Sequence, residues 1–237
     1  MNNSLLKVAN LNAFYGKAHI LFDVNLEVRK GEVVALVGRN GAGKSTTMKA
    51  IMGLLDRASS EVEFNGTKIS GWPSFKVARL GIGFVPEDRR IFTDLTVEEN
   101  LDIGRRPPRI GSPAWTPEAL YRLFPNLGAM NKRLGGQMSG GEQQMLTVAR
   151  TLMGNPELIL LDEPSEGIAP VIVEQMANMI IELKKQGLTV LLSEQNTHFA
   201  HLVSDRVYVL EKGQVKFEGT MEALMANEAV RQEYLEV

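Results

Sequence analysis

The sequence predicts an α/β fold, in which helices flank a mostly parallel β-sheet and an antiparallel β element and an inserted helical subdomain are added to this core. The stretches Val33–Val37 and 158–161 are unbroken apolar runs, the pattern of strands that are covered on both faces. Helical patterns alternate with such runs along the chain, which is typical of parallel sheets. Asn65-Gly66 separates two short strand patterns and indicates an antiparallel hairpin.

Length and composition limit the possible classes of protein. A chain of 237 residues is enough for one large domain, and we interpret residues 1–237 as one. The net charge of −2 argues against nucleic-acid binding through a broad basic field. No apolar run approaches the roughly 18 residues that cross a bilayer, and residues 1–10 lack the pattern of a secretion signal, so we expect a cytoplasmic chain. The absence of cysteine excludes disulfides, thiol catalysis and cysteine-bound metal.

The first elements follow from local periodicity. Apolar and polar residues alternate over 22–28, which predicts a half-buried strand before the strand Val33–Val37. Three glycines come next, followed by apolar residues at helical spacing, namely Met48, Ile51, Met52 and Leu55. The order is therefore strand, glycine-rich turn, helix.

In the middle of the chain, the alternation of strand and helix patterns gives way to mainly helical patterns. Thr96 and Glu99 form a capping-box pattern that predicts a helix start, and the Pro-rich stretch 105–117 interrupts it. We interpret roughly residues 94–137 as a mainly helical subdomain. A strong amphipathic helix from Gly141 then restores the alternation with strands at 158–161 and 189–192, and a hairpin at 212–213 precedes two short helices.

The glycine-rich turn fits the phosphate-binding pattern GxxxxGK[ST], in the residues Gly38, Arg39, Asn40, Gly41, Ala42, Gly43, Lys44 and Ser45. Its position between a strand and a helix is the context that a P-loop NTPase core requires. Backbone N–H groups and the helix dipole would hold phosphates there. We expect Lys44 to reach the β and γ phosphates of ATP, Ser45 to bind Mg²⁺, and Thr46 to complete the nucleotide site.

Two carboxylates end the strand pattern at 158–161. At the carboxyl edge of a parallel sheet, where ligands bind, Asp162 can hold Mg²⁺ and Glu163 can polarise an attacking water. A second candidate anion site stands directly before the helix at Gly141, in the residues Ser139, Gly140, Gly141 and Glu142. One nucleotide does not need two such sites.

The stretch 138–143, Met-Ser-Gly-Gly-Glu-Gln, resembles the signature motif of ATP-binding cassette (ABC) proteins, and the resemblance covers essentially the whole chain. It implies that the signature of one subunit caps the γ-phosphate bound by another. Residues 165–170 match the segment that contacts the opposing subunit, with Ala169 in place of a frequent aspartate. Tyr15 matches the aromatic residue that stacks on adenine.

Two positions depart from the usual ABC pattern. Glu87 stands where most members have a glutamine near the metal and the γ-phosphate, and Gln195 stands at the switch histidine. Glutamine can donate and accept hydrogen bonds but cannot carry a proton as imidazole can. The resemblance therefore implies Glu163, Gln195 and Lys44 as catalytic residues, Ser45, Asp162 and Glu87 as metal-site residues, and ATP and Mg²⁺ as cofactors.

The motifs Val-Pro-Glu-x-Arg-Arg-x-Phe, Asp-Glu-Pro-Ser-x-Gly and Glu-Gln-Asn are similar to those of the smaller ATP-binding subunit of branched-chain amino acid importers. This implies an ATPase at the cytoplasmic face of the inner membrane. Its partners would be a homologous ATP-binding subunit, integral permease subunits and, indirectly, an external solute-binding protein.

The sequence is also compatible with other functions. Within the same enzyme class the chain could serve a urea or amide importer or a lipopolysaccharide exporter, although Glu87 and Gln195 count against the exporter. It could also be a non-transport, nucleotide-gated ABC protein or a binding module without hydrolysis. Non-transport ABC proteins usually carry coiled-coil or zinc insertions, and none is visible in this sequence. The intact Glu163 disfavours a binding module without hydrolysis.

Overall fold

The computed structural model describes residues 4–109 and 113–235. Its strands are β1 Ser4–Tyr15, β2 Ala18–Arg29, β3 Val33–Val37, β4 Arg57–Phe64, β5 Thr67–Lys68, β6 Ile82–Val85, β7 Leu158–Asp162, β8 Thr189–Glu194, β9 Arg206–Glu211 and β10 Gln214–Thr220. Its helices are α1 Lys44–Ile51, α2 Ser74–Leu80, α3 Val97–Gly104, α4 Pro117–Leu123, α5 Pro125–Ala129, α6 Gly140–Leu152, α7 Pro170–Lys185, α8 Thr197–Val203, α9 Met221–Ala226 and α10 Glu228–Tyr234.

Two sheets form the framework. The larger has the order β10-β9-β3-β8-β7-β6, in which every neighbouring pair is parallel except β10 with β9. The smaller sheet, β2-β1-β4-β5, is antiparallel. The predicted α/β class, with its mostly parallel sheet and antiparallel element, is confirmed.

The parallel sheet separates two apolar cores. On β3, Val33, Ala35 and Val37 face a core built with the helices α6, α7 and α8. Val34 and Leu36 face the other core, which includes α1 and residues from β1 and β2. All five β3 side chains are buried, so the strand is covered on both faces and its unbroken apolar run has a direct cause.

Helices occupy the range predicted as a helical subdomain. Thr96 and Glu99 form the expected capping box at the start of α3, and α4 begins with a Thr116 cap and Pro117 in its first turn. Helices α3 and α5 both pack on α6, which follows the predicted range. Helix α6 also contacts β6, so it joins this helical region to the parallel sheet.

Asn155 anchors the Pro-rich stretch, for which the sequence had suggested no role. Its Oδ1 accepts a hydrogen bond from the Trp115 backbone N–H at 2.7 Å, and its Nδ2 donates to the Arg106 carbonyl at 2.7 Å. Its own carbonyl accepts from Arg109 Nε at 2.8 Å. The residue is buried and has φ +50°, a left-handed conformation that asparagine tolerates well.

We expect Asn155→Ala to lower the free energy of unfolding by about 3 kcal/mol, because it leaves buried backbone groups unpaired and places a β-carbon at positive φ. Asn155→Gly removes the same side-chain hydrogen bonds without the backbone strain, so it should cost about 1 kcal/mol less. Urea unfolding of the three proteins measures both effects. Equal midpoints for Asn155→Ala and the parent would show that the anchor contributes nothing.

Within the described ranges, 4–109 and 113–235, no helix has both the length and the apolar character that crossing a bilayer requires.

Candidate functional site

A cavity of about 400 Å³ opens where β3 and β7 end, at the carboxyl edge of the parallel sheet. It is lined by Ile20, Asn40, Gly41, Gly43, Lys44, Ser45, Thr46, Glu87, Glu163 and Glu166. The fold thus brings the predicted phosphate loop together with Glu87 and Glu163, which are distant in sequence. Edges of this kind are the usual ligand sites of α/β sheets.

The phosphate loop is held closely against its surroundings. Gly43 precedes α1 with φ +108°, and a β-carbon there would lie 2.6 Å from Leu21 Cδ2. Ala42 is buried, and its carbonyl accepts a hydrogen bond from the Gly213 N–H at 2.9 Å, which ties the loop to the β9–β10 hairpin. These contacts fix the backbone around the start of α1, where unpaired N–H groups can bind an anion.

Lys44 is almost fully buried, with 3% of its surface exposed. Its Nζ donates to the Gly38 carbonyl at 2.8 Å and to the Arg39 carbonyl at 3.3 Å. The same atom lies 3.0 Å from Glu163 Oε1. The cation therefore stands inside the loop next to an acidic partner, and an incoming phosphate would compete with that partner for it.

Asp162 and Ser45 meet below the loop. Ser45 Oγ donates to Asp162 Oδ1 at 2.9 Å, and Ser193 Oγ donates to the same oxygen at 2.7 Å. Burial raises the pKa of Asp162, while these two hydroxyl groups act in the opposite direction.

Asp162 Oδ2 is buried and has no hydrogen-bond partner within the described residues. An unpaired carboxylate oxygen beside a serine hydroxyl fits Mg²⁺, which prefers oxygen ligands and retains waters and phosphate oxygens in its shell. Ser45 and Asp162 are therefore the residues that could hold the metal.

Glu163 sits in a sharp turn after β7 with φ +48°. Its backbone N–H donates to the Ser193 carbonyl at 3.1 Å and to Ser193 Oγ at 3.0 Å, so the neighbouring strand holds this turn. Burial opposes ionisation of the side chain, but hydrogen bonds with Glu166 and Lys44 hold its pKa below the usual value. Glu163 is thus held as a carboxylate, the form that can accept a proton from water.

Two further acidic groups surround Glu163. The hydrogen bond with Glu163 raises the pKa of Glu166 to about 7, and burial and neighbouring carboxylates act in the same direction. Burial raises the pKa of Glu194 to about 6, although it accepts a hydrogen bond from the Ser165 N–H at 3.0 Å. The site therefore crowds several carboxyl groups together, and a bound metal ion would offset their mutual repulsion.

Other predicted site residues lie outside this cavity's lining. Tyr15 is 49% exposed at the end of β1, and Gln195 is exposed just after β8. Ser139 and Glu142 form a complete capping box at the start of α6, with Gly140 and Gly141 in its first turn. Ser139 is exposed, and none of these four residues lines the cavity at the phosphate loop of the same chain.

Sequence reasoning missed Ser193, Glu194 and Glu166. Ser193 supports both Asp162 and Glu163, and Glu194 holds the turn after Glu163 through Ser165. A signal was available for Ser193 and Glu194, because they directly follow the strand pattern at 189–192 and parallel strands end at the same sheet edge. Glu166 had no signal beyond its place in the motif.

Comparisons with known proteins agree with this geometry. The family model of the ABC transporter matches residues 21–166. The chain is 43% identical to the high-affinity branched-chain amino acid transport ATP-binding protein BraG of Pseudomonas aeruginosa, over 98% of this chain and 99% of BraG. It is 35% identical to the lipopolysaccharide export system ATP-binding protein LptB of Haemophilus influenzae, over 98% of this chain and 97% of LptB.

A solved structure shares the fold. The dimeric structure of a post-hydrolysis state of the ATP-binding cassette MJ0796, bound to ADP and Pi, superposes with a TM-score of 0.77. The alignment covers 91% of this chain and 98% of the other, at 26% identity.

Proposed function

Because the chain belongs to the ABC transporter family of ATP-binding proteins, we propose that it is the ATP-binding and ATP-hydrolysing subunit of an importer for branched-chain amino acids. The convergence of Lys44, Ser45 and Glu163 in one cavity, with Asp162 bonded to Ser45, carries the ATPase part of the proposal. The 43% identity to BraG over almost the full length of both chains supports the substrate class.

The phosphate loop would bind the nucleotide. Backbone N–H groups around Gly41 and Gly43 and the Lys44 ammonium would face the phosphates, and Tyr15, exposed at the end of β1, would stack on the adenine ring. When ATP binds, the Lys44 ammonium would leave its ion pair with Glu163 and contact the terminal phosphates instead. That exchange leaves the Glu163 carboxylate free to face the cavity.

Glu163 would orient and deprotonate the attacking water. Bound Mg²⁺ supplies charge neutralisation at the phosphate oxygens. Ser45 and Asp162 would hold that ion, and Glu87, which lines the same cavity, offers a further oxygen near it. Ser193 would hold Asp162 and Glu163 in fixed positions relative to each other, because its hydroxyl donates a hydrogen bond to the Asp162 carboxylate and accepts one from the Glu163 backbone N–H.

A second ATP-binding subunit would complete the site. Ser139 is exposed at the start of α6 and lies outside the cavity lining of its own chain, which supports a role in binding a nucleotide held by another chain. The dimeric state of the MJ0796 cassette supports such an arrangement. We propose a head-to-tail pair, with itself or with a homologous ATP-binding subunit.

A groove of about 510 Å³ is our candidate contact with the permease. Phe75, Phe92 and Ile103 are exposed along it, and its polar lining is rich in arginine, namely Arg79, Arg106 and Arg150. An apolar permease helix with acidic side chains matches this lining in both hydrophobicity and charge. Docking there would place the protein at the cytoplasmic face of the membrane, and an external solute-binding protein would act through the permease.

The substrate proposal can be tested on the assembled complex. Purifying the chain from native membranes should bring its permease with it, and proteoliposomes of that complex should accumulate leucine, isoleucine or valine when ATP is supplied with the solute-binding protein. Uptake of urea or a short amide instead would reassign the substrate while leaving the ATPase proposal intact. Export of lipopolysaccharide would favour the function of LptB, to which the chain is 35% identical.

Gln195 is expected to assist hydrolysis by placing the γ-phosphate, a role that needs hydrogen bonds and no proton transfer. We therefore expect Gln195→His to retain measurable ATPase activity and Gln195→Ala to lose most of it, about tenfold or more. Steady-state hydrolysis by the assembled transporter measures both variants. Parent-like activity of Gln195→Ala would make Gln195 an ordinary exposed loop residue.

A further inference from the structure

Arg89 lies between the nucleotide cavity and the helical region, and its backbone is tightly held. The residue has φ +62°, and its N–H donates to the Pro86 carbonyl at 3.2 Å. Its carbonyl accepts a hydrogen bond from Thr147 Oγ1 at 2.8 Å, which fastens it to α6. The side chain therefore starts from a fixed point beside the helix that begins with the signature turn.

The Arg89 guanidinium lies over the signature turn. A β-carbon built on Gly140 would stand 2.7 Å from Arg89 Nη1 and 3.4 Å from its Cζ. One built on Gly167 would stand 3.9 Å from Nη2. The guanidinium is thus placed between the signature turn and the segment 165–170, the two parts that the family resemblance directs toward the opposing subunit.

Among the residues that the structure describes, none is an acidic partner for the positive charge of Arg89. Its guanidinium makes no hydrogen bond or ion pair within residues 4–109 and 113–235, and the nearby Asp88 pairs with Arg90 at 2.8 Å. The guanidinium also faces the positive end of the α6 dipole at Gly140. Two positive groups this close together favour the binding of an anion that contacts both of them.

Arg89 lies outside the lining of the cavity at its own phosphate loop, and its guanidinium is directed at the signature turn instead, so the nucleotide of another chain is the better candidate for that anion. We propose that Arg89 contacts the terminal phosphate of the ATP bound by the partner subunit, together with the signature turn at Ser139 and Gly140. The inference rests on the proposed head-to-tail pair. A guanidinium suits the role because its planar fork binds phosphate oxygens in pairs and stays charged at all relevant pH values.

The test uses the Glu163→Gln chain, in which ATP is retained rather than hydrolysed, alone or with its homologous partner subunit. Arg89→Gln, Arg89→Lys and Arg90→Gln are each added to it, the last as a neighbouring arginine that already pairs with Asp88. Light scattering at increasing protein concentration measures ATP-dependent pairing. Fluorescent ATP at low concentration measures nucleotide affinity of the single subunit, and thermal unfolding checks the fold.

We expect Arg89→Gln to weaken ATP-dependent pairing roughly tenfold or more, since it removes a charged contact with phosphate. Pairing of the Arg89→Lys variant should be intermediate between that of Arg89→Gln and that of the Glu163→Gln chain alone. Pairing of the Arg90→Gln variant should stay within about twofold of that of the Glu163→Gln chain. Single-subunit ATP affinity should not change in any of them. Unchanged pairing of Arg89→Gln overturns this inference alone, and so does a parallel loss of single-subunit affinity. If Glu163→Gln itself never pairs in ATP, the shared site and this inference are both wrong.

Discussion

Replacing Lys44 with alanine is expected to weaken ATP binding by at least about tenfold and by as much as several hundredfold. The reason is that Lys44 is the buried cation of the phosphate loop, with its ammonium held over the loop by the Gly38 and Arg39 carbonyls. The substitution removes a charged contact with the terminal phosphates. Isothermal titration of ATP against both proteins measures the loss, with Lys76→Ala, an exposed lysine on α2, as the control.

The same substitution has a second, separable effect on stability. Lys44 pairs with Glu163 at 3.0 Å, and both side chains are buried, so Lys44→Ala leaves a buried carboxylate without its cation. Breaking such a pair from one side costs about 3 kcal/mol. Adding Glu163→Gln removes the stranded charge and should restore most of that stability while ATP affinity stays low. If the double variant binds ATP like the parent, the assigned role of Lys44 is wrong.

Glu163→Gln is expected to lower the rate of ATP hydrolysis by about 10²–10⁴-fold while leaving ATP affinity close to that of the parent. Glutamine keeps the size of the side chain and can still bond Lys44 weakly, but it cannot accept a proton from water. The backbone contacts of the turn to Ser193 do not involve the side chain, so the fold should persist.

Single-turnover hydrolysis and ATP titration separate the chemical step from binding. Glu174→Gln, which neutralises an exposed glutamate on α7, serves as the control and should hydrolyse ATP like the parent. We also expect the Glu163→Gln chain to pair in ATP but not in ADP, because an unhydrolysed shared nucleotide favours the paired state. Hydrolysis at the parent rate would remove Glu163 from the mechanism.

Parts of this protein follow directly from local sequence. The run Val33–Val37 predicts a strand that is covered on both faces, since one covered face would have required alternating polar residues. The phosphate loop is equally local, because glycine spacing, strand and helix all lie within residues 33–51. The capping box of Thr96 with Glu99 lies within four residues and appears where the sequence predicts it, and the box of Ser139 with Glu142 is equally local.

Tertiary structure decided how remote side chains pair. Ser193 meets Asp162 because β7 and β8 align these two residues side by side, a register that no local pattern contains. Lys44 pairs with Glu163 and Arg89 covers Gly140 only because separate segments converge at one sheet edge and one helix end. Asn155, unremarkable in sequence, becomes the anchor of the Pro-rich stretch. Periodicity and turn chemistry act over a few residues, whereas these contacts depend on strand register and helix packing across the whole chain.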